Sequence, residues 1–510
     1  MKLRDLIESL EYKELININD YSLEVDNVSY NSKTCKANSV FVCIVGEHTD
    51  GHEYFQNAIQ NGAVVCVVER PLNSNIPQIV VGSTQKALAD VTVIIKGNAT
   101  KALTLVGVTG TNGKTTVSHL LQKIIEDSKN NCGLIGTLGY KSSSSSEYVS
   151  TGHTTPQAPE LQDAFIDFKY NKHIDNVVME VSSHAIAQHR IKNCVFNGAI
   201  FTNLTQDHLD FHVTMSNYFN EKAKLFEDLV SGDFAIVNID DEYGEKLLAK
   251  ISSSVSIYTY SVSKAADIMA KNVKFSSKGA QFTLITPKEK LEVALKLNGK
   301  FSVYNSLAAI AGAYAMGISA KDAVNSIKEL SVTGRFEIVN EEPIVIVDYA
   351  HTPDGLKNIL LAALDIKPEG GDLICLFGCG GDRDVTKRPK MGAIAEEYAN
   401  KVILTSDNPR SEDPQQIISD ILAGFKSTTN VIVEPDRGDA IRAAKNIAKN
   451  NDVVVLAGKG HETYQILKDN TIHFDDREEA LKVFGKDEVI NDWNKTLNWT
   501  TYPRSLWCRF

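Results

Sequence analysis

Residues 110–116 read GTNGKTT and carry the strongest chemical signal in the chain. Gly110 and Gly113 would let the backbone around Thr111 and Asn112 approach phosphate oxygens. Lys114 would bring positive charge to a transferring phosphoryl group, and the Thr115 hydroxyl, ahead of Thr116, would hold Mg²⁺. An apolar run at 103–108 precedes the loop, and Val117, Leu120, Leu121, Ile124 and Ile125 follow it at one-face helical spacing. The motif therefore sits between a strand and a helix N-terminus, as phosphate binding requires. One position departs from the general pattern: Val108 stands where a glycine is expected, and the neighbouring glycines are Gly107 and Gly110.

Two further clusters could serve nucleotide chemistry. Glu180 lies near the end of an apolar run at 177–181, where a carboxylate is costly unless it ligates a cation or forms a salt bridge; both readings stand at this level. Asp207, His208, Asp210 and His212 follow another strand-like run, and without HExxH or cysteine spacing they suit Mg²⁺ or Mn²⁺ better than zinc.

These residues need a scaffold. A chain of 510 residues is too long for one core and predicts about three domains at ~150 residues each. Residues 1–96 mix short strands (39–45, 63–68, 78–81) with helical stretches, while residues 97–330 repeat an α/β rhythm with strands at 103–108, 177–181, 199–201 and 234–237. Such alternation predicts a mostly parallel sheet covered by helices. The serine run 142–146 reads as a solvated hairpin tip. Over residues 331–486 each apolar run ends in a polar sequence: DYAHTPD, FGCGGDRD, SDNPRSEDP and GKGHE. Ligands of open α/β sheets sit beyond the carboxyl ends of strands, so four such ends in one domain predict a site. FGCGGD is not a dinucleotide fingerprint, because Arg383 occupies the place of its last glycine. The tail 487–510 holds all three tryptophans and has no clear periodicity.

Composition excludes other classes. A net charge of -11 argues against a nucleic-acid binder, and no leader or apolar stretch of membrane-spanning length is visible, which predicts a cytoplasmic protein without membrane insertion. Eight cysteines without a CxxC pair read as incidental thiols, the close pair Cys375 and Cys379 included.

In order, GTNGKTT, EVSSH, NLTQDHLDFH, YFNEKAKLF, GRFE and DYAHTPD resemble the Mur ligases, the ATP-dependent amino-acid-adding enzymes of peptidoglycan synthesis, over roughly residues 25–485. The resemblance implies a small α/β domain for a UDP-sugar, a central P-loop-type ATPase domain and a Rossmann-like amino-acid domain, working as a monomer. It implies that Lys114 contacts the ATP phosphates, that Thr115 and Glu180 hold one Mg²⁺, and that His208 ligates a second. Lys222, rather than Lys224, would carry a CO₂-derived carbamate; an ammonium cannot bind a cation, whereas a carbamate can. A lysine in so charged a segment would otherwise read as a solvated face. Asn305 would contact adenine, Arg335 the phosphates, and Asp348 and His351 would close over the nucleotide.

For the UDP-N-acetylmuramoyl dipeptide, the resemblance implies contacts from Ser32, Glu47, His48 and Thr49, and from His153, Thr154, Thr155, Ser182, Gln188 and Arg190. For meso-2,6-diaminopimelate it implies Asp407, Asn408, Pro409 and Arg410, with Arg383, Gly458 and Glu462. Arg410 would grip the distal carboxylate bidentately and Glu462 would take the distal ammonium. The implied reaction is amide formation through an acyl phosphate. Three alternatives remain at this level: a lysine-adding enzyme of the same fold, a folylpolyglutamate synthetase, and a nucleotide-gated binding protein.

Overall fold

The computed structural model describes residues 1–46, 49–276 and 278–485; Glu47, His48 and the tail 487–510 lie outside the described residues. Three α/β units follow one another, each built on its own sheet. In the first, the strand order is Glu14–Ile16, Gln78–Val80, Ala63–Val68, Ser39–Val42, Asn27–Ser29, with only the first of these antiparallel to its neighbour.

The central sheet has ten strands. At its heart Thr104–Thr109 lies between Gly198–Phe201 and Asn176–Glu180, all parallel, with Val108 opposite both Ile200 and Glu180. This strand is apolar because helices cover both faces. The following helix, Lys114–Asp127, presses Val117, Leu120, Leu121, Ile124 and Ile125 into the core against the sheet and the helix Lys300–Ala315. Each such side chain contributes about 1.5–3 kcal/mol on burial, which fixes the helix N-terminus where the loop needs it.

Beyond the parallel strands the chain departs from the simple α/β rhythm. Ile268–Ser276, Gly279–Ile285 and Lys290–Leu295 extend the sheet, the last two pairings being antiparallel. Their half-buried character explains the difference: Lys290, Glu292 and Ala294 face solvent while Val293 and Leu295 are buried, an alternation unlike the fully buried parallel strands. The serine run forms a polar turn after Gly139–Lys141, with the Ser144 N–H donating to Glu126 Oε1 at 2.8 Å.

In the third sheet the order is Glu337–Glu341, Ile344–Asp348, Val453–Ala457, Leu373–Phe377, Lys401–Leu404, Val431–Val433. All pairings but the first are parallel, so the four polar sequences emerge from the same edge. That edge faces the phosphate loop: Asn112 Nδ2 donates to Asp354 Oδ2 at 3.2 Å. No helix among the described residues is long and apolar enough to cross a membrane.

Candidate active site

The phosphate loop is pinned from below by the segment after Gly198–Phe201. Asn203 accepts from the Thr111 N–H through its carbonyl at 2.9 Å and from the Asn112 N–H through Oδ1 at 3.0 Å, and Thr202 Oγ1 donates to the Asn112 carbonyl at 2.6 Å. A Cβ at Gly110 would lie 1.9 Å from Thr202 Oγ1, so no side chain fits there. Gly113 caps the helix with φ 89° and supplies no side-chain bond, which leaves first-turn N–H groups free to meet an anion. Lys114 Nζ lies over the loop, donating to the Gly110 and Thr111 carbonyls at 2.9 Å each. Burial lowers its pKa, opposed by the charges of Glu180 and Asp207.

Glu180 is 1% exposed, and its Oε2 accepts from Thr115 Oγ1 at 2.9 Å and Thr137 Oγ1 at 3.1 Å, while Oε1 accepts from the Thr137 N–H at 3.1 Å. No basic side chain among the described residues stands within ion-pair distance of it, so the salt-bridge reading of this carboxylate falls. Thr115 and Glu180 form a pair of hard oxygen donors beside the phosphate loop, which fits Mg²⁺. No group of three or more His, Cys, Asp or Glu among the described residues could hold a metal alone, so a cation here would complete its shell with phosphate or water oxygens.

The neighbouring cluster splits. His208, in the left-handed region at φ 52°, places Nε2 3.3 Å from Asp207 Oδ2 and lines the cavity; burial pushes its imidazole well below the ordinary range. His212 turns away, its Nε2 2.8 Å from Ser183 Oγ and its ring stacked on Tyr218. Lys222, on the helix Met215–Glu227, is 2% exposed, with Nζ donating to the Gly110 carbonyl at 3.0 Å and lying 4.8 Å from the centre of the Tyr218 ring. No carboxylate among the described residues forms an ion pair with it, and burial, reinforced by Lys114, holds its pKa well below the usual lysine range. Lys224 instead pairs with Glu221 on the surface at 2.7 Å.

Arg335 joins two cavities. Its guanidinium stacks 4.5 Å over the Tyr349 ring, Nη2 donates to Thr115 Oγ1 at 3.4 Å, and its buried Nε has no partner among the described residues. On one side a cavity of about 280 Å³ is lined by Asn305, Tyr304, Thr116 and Asp348; on the other, one of about 310 Å³ is lined by Lys114, Glu180, His208, His351 and Arg410. Asn305 Oδ1 closes on Gly113, where an added Cβ would stand 2.3 Å away. Asp348 Oδ2 accepts from the Phe336 N–H at 2.7 Å; burial raises this carboxyl and the Arg335 charge opposes the rise. His351 Nδ1 lies 2.9 Å from the Tyr349 carbonyl.

A third cavity, about 940 Å³, runs from His153, Thr154, Thr155, Ser182 and Arg190 to Arg383, Arg410 and Glu462. Arg190 Nη1 donates to the Thr155 carbonyl at 2.8 Å, and Gln188, which does not line the cavity, accepts from Arg190 Nε at 3.1 Å. Arg410 has φ 52°, a strained choice for a residue with a Cβ, and Nη1 donates to the Gly381 carbonyl at 2.8 Å. Arg383 is exposed, with Nη1 3.2 Å from the Asp382 carbonyl. Asp407, Asn408 and Pro409 are buried at the foot of Arg410, and Asp407 Oδ2 crowds Gly458. Ser32 and Thr49 do not line this cavity: Ser32 is buried in a short turn and its carbonyl accepts from Asn61 Nδ2 at 2.9 Å, while the Thr49 carbonyl takes the Gly46 N–H at 2.9 Å.

Models of three Mur ligase domains match the chain in succession: the family's catalytic domain at 24–101, its middle domain at 108–313 and its glutamate ligase domain at 334–460. UDP-N-acetylmuramoyl-L-alanyl-D-glutamate--2,6-diaminopimelate ligase of Clostridium botulinum is 44% identical over 94% of this chain and 98% of its own length. The protein of the same name from Halalkalibacterium halodurans is 43% identical over 94% of this chain and 99% of its own. The chain belongs to the Mur ligase family. A solved 2,6-diaminopimelate ligase structure superposes with TM-score 0.65 at 30% identity, covering 95% of this chain and 98% of the other. MurF ligase from Thermotoga maritima in complex with ADP shares the fold at 18% identity and TM-score 0.63, covering 92% of this chain and 99% of its own.

In this Mur ligase three residues stand in the site that sequence reasoning did not single out. Tyr349 stacks between Arg335 and His461, Lys387 Nζ donates to the His351 carbonyl at 2.9 Å, and Lys459 is fully buried beneath Glu462. The GRFE segment and the GKGHE loop also touch through bare backbone: a Cβ at Gly334 would stand 2.1 Å from the His461 nitrogen, and one at Gly460 would stand 2.7 Å from the Gly334 carbonyl oxygen.

Proposed function

We propose that this Mur ligase uses ATP to join meso-2,6-diaminopimelate to the D-glutamyl γ-carboxylate of UDP-N-acetylmuramoyl-L-alanyl-D-glutamate, acting as a cytoplasmic monomer. The observation that carries the reading is the 940 Å³ cavity, where Arg410 and Glu462 offer opposite charges to one end of a ligand whose other end reaches the phosphate site. Diaminopimelate is an amino acid with a second zwitterionic head, which matches that pair. The names of the relatives agree.

The γ-carboxylate oxygen attacks the terminal phosphorus of ATP, the bond to the bridging oxygen breaks, and ADP leaves. The free amine then attacks the acyl carbon, inorganic phosphate departs, and the amine proton is lost to solvent. Lys114 and the Arg335 guanidinium, whose Nε has no partner among the described residues, would meet the spreading phosphoryl charge, and positioned charge is the main lever for such transfer. Asn305 and Asp348 line the cavity that suits adenosine. Thr115 and Glu180 would hold one Mg²⁺, and His208 with Lys222 as its carbamate a second. These cations would supply charge to the phosphate oxygens. A buried lysine without a carboxylate partner favours the neutral amine, the form that adds CO₂. Ser32 and Thr49, with Glu47 and His48, would take the uridine end, and Thr154, Thr155, Ser182 and Arg190 the muramoyl dipeptide.

ADP release should depend on both the muramoyl dipeptide and diaminopimelate, with L-lysine at least about tenfold slower. A faster rate with lysine would reassign the substrate, and release indifferent to both would mark a nucleotide-binding protein. Arg410→Ala should raise the Michaelis constant for diaminopimelate about 10- to 100-fold with little change for ATP, since a charge-assisted pair is lost. Equal increases for both would remove Arg410 from the amino-acid pocket.

A further inference from the structure

Lys459 is a fully enclosed cation near the amino-acid pocket and has no part in the chemistry described above. Its side chain is 0% exposed, and Nζ donates to Glu462 Oε2 at 3.0 Å and to Asn408 Oδ1 at 3.3 Å. Asn408 completes the cluster: Nδ2 donates to the same Glu462 Oε2 at 2.9 Å, and Oδ1 also accepts from the Ile466 N–H at 2.9 Å. Both bonds to Glu462 fall on Oε2, and Oε1, on a residue that lines the large cavity, receives neither of them.

Charge balance shows why a lysine is there. Asp407 and Glu462 are two carboxylates close enough that Asp407, after burial itself, pushes the Glu462 carboxyl up. The other cation behind them, Arg437, is committed to Asp476 in a fully buried pair at 2.6 Å. Among the described residues Lys459 makes the ion pair that offsets this repulsion at Glu462, while Arg383 and Arg410 line the cavity itself. Without Lys459 the facing carboxylates repel, and one would hold a proton.

We infer that Lys459 is a positioning residue for amino-acid selection, holding Glu462 ionised from within the protein so that its free oxygen takes the ammonium of the substrate's distal head. This rests on the diaminopimelate reading above. It assigns Lys459 to the distal ammonium alone; the distal carboxylate belongs to Arg410.

The probe is a pair of amino acids differing only in that ammonium: meso-diaminopimelate and 2-aminopimelate, which keeps the distal carboxylate and lacks the amine. With the full-length enzyme, KM is measured for the first and KM or the competitive inhibition constant for the second. Lys459→Met should raise the diaminopimelate constant about 10- to 100-fold, leave the 2-aminopimelate and ATP constants within about threefold, and so erase the preference for the second amine. Lys459→Gln, which keeps a donor and removes the charge, should give the same selective loss, and it decides alone if the Met variant does not fold. Parallel weakening of both amino acids would show a loop-holding role and overturn the inference, as would unchanged constants for both. If the wild-type enzyme itself fails to prefer diaminopimelate over 2-aminopimelate, the substrate reading fails before Lys459 is tested.

Discussion

Lys222→Ala is expected to lower turnover about 10²- to 10³-fold, the scale for removing a charge-stabilising group from a site of this kind. The unmodified side chain is a buried amine beside the phosphate loop with no carboxylate partner among the described residues, so its loss removes no ion pair. Stability and activity should therefore part company. Without bicarbonate the unfolding midpoint should change little, because relief of an unmodified buried amine that has no ion pair offsets the cavity left behind. High bicarbonate should restore part of the activity by placing a small anion in the vacated space. Labelling with ¹³C-bicarbonate should give a carbamate resonance in the wild-type protein and none in the variant. Full activity in the variant would end the carbamate role, and a collapse of stability in step with activity would recast Lys222 as a structural residue.

Lys114→Met should reduce kcat by about 10³-fold or more, on the scale of losing a cation that meets the transferring phosphoryl group. Its Nζ rests on two loop carbonyls at 2.9 Å, so the backbone of the loop itself holds it in place. Methionine preserves most of the stem that packs there. The KM for ATP should move much less than kcat, because the charge matters most where negative charge spreads in the transition state. Single-turnover measurement of ADP formation separates this step from product release. A loss below about tenfold would place the main phosphoryl stabilisation elsewhere, with Arg335 the next residue to test.

The phosphate loop was legible because its chemistry is local: glycines, lysine and threonine follow one another between a buried strand and an amphipathic helix, and the fold keeps them together. The polar ends of the third sheet were legible for a similar reason, since parallel strands must deliver their loops to one edge. Residues defined by tertiary partners were not. Lys459 stands between two glycines and reads as a solvated charge; only the packing of DNPR against GKGHE buries it. Arg388 and Arg437 are 1% exposed because each meets carboxylates far along the chain, Glu412 and Asp420 for the first and Asp476 for the second. His212 looked like a partner of His208, but a single helical turn carries it to Ser183. The antiparallel strands after Ile268 were missed because alternation gives a weaker signal than a continuous apolar run.

The bare-backbone seam between Gly334 and Gly460 has a kinetic consequence. Arg335 follows the first glycine and Glu462 lies two residues beyond the second, so the phosphate-side and amine-side groups share one hinge plate with no side chain between them. Because a Cβ at position 334 would stand 2.1 Å from the His461 nitrogen, Gly334→Ala is expected to weaken nucleotide and amino-acid binding together, as paired KM measurements would show.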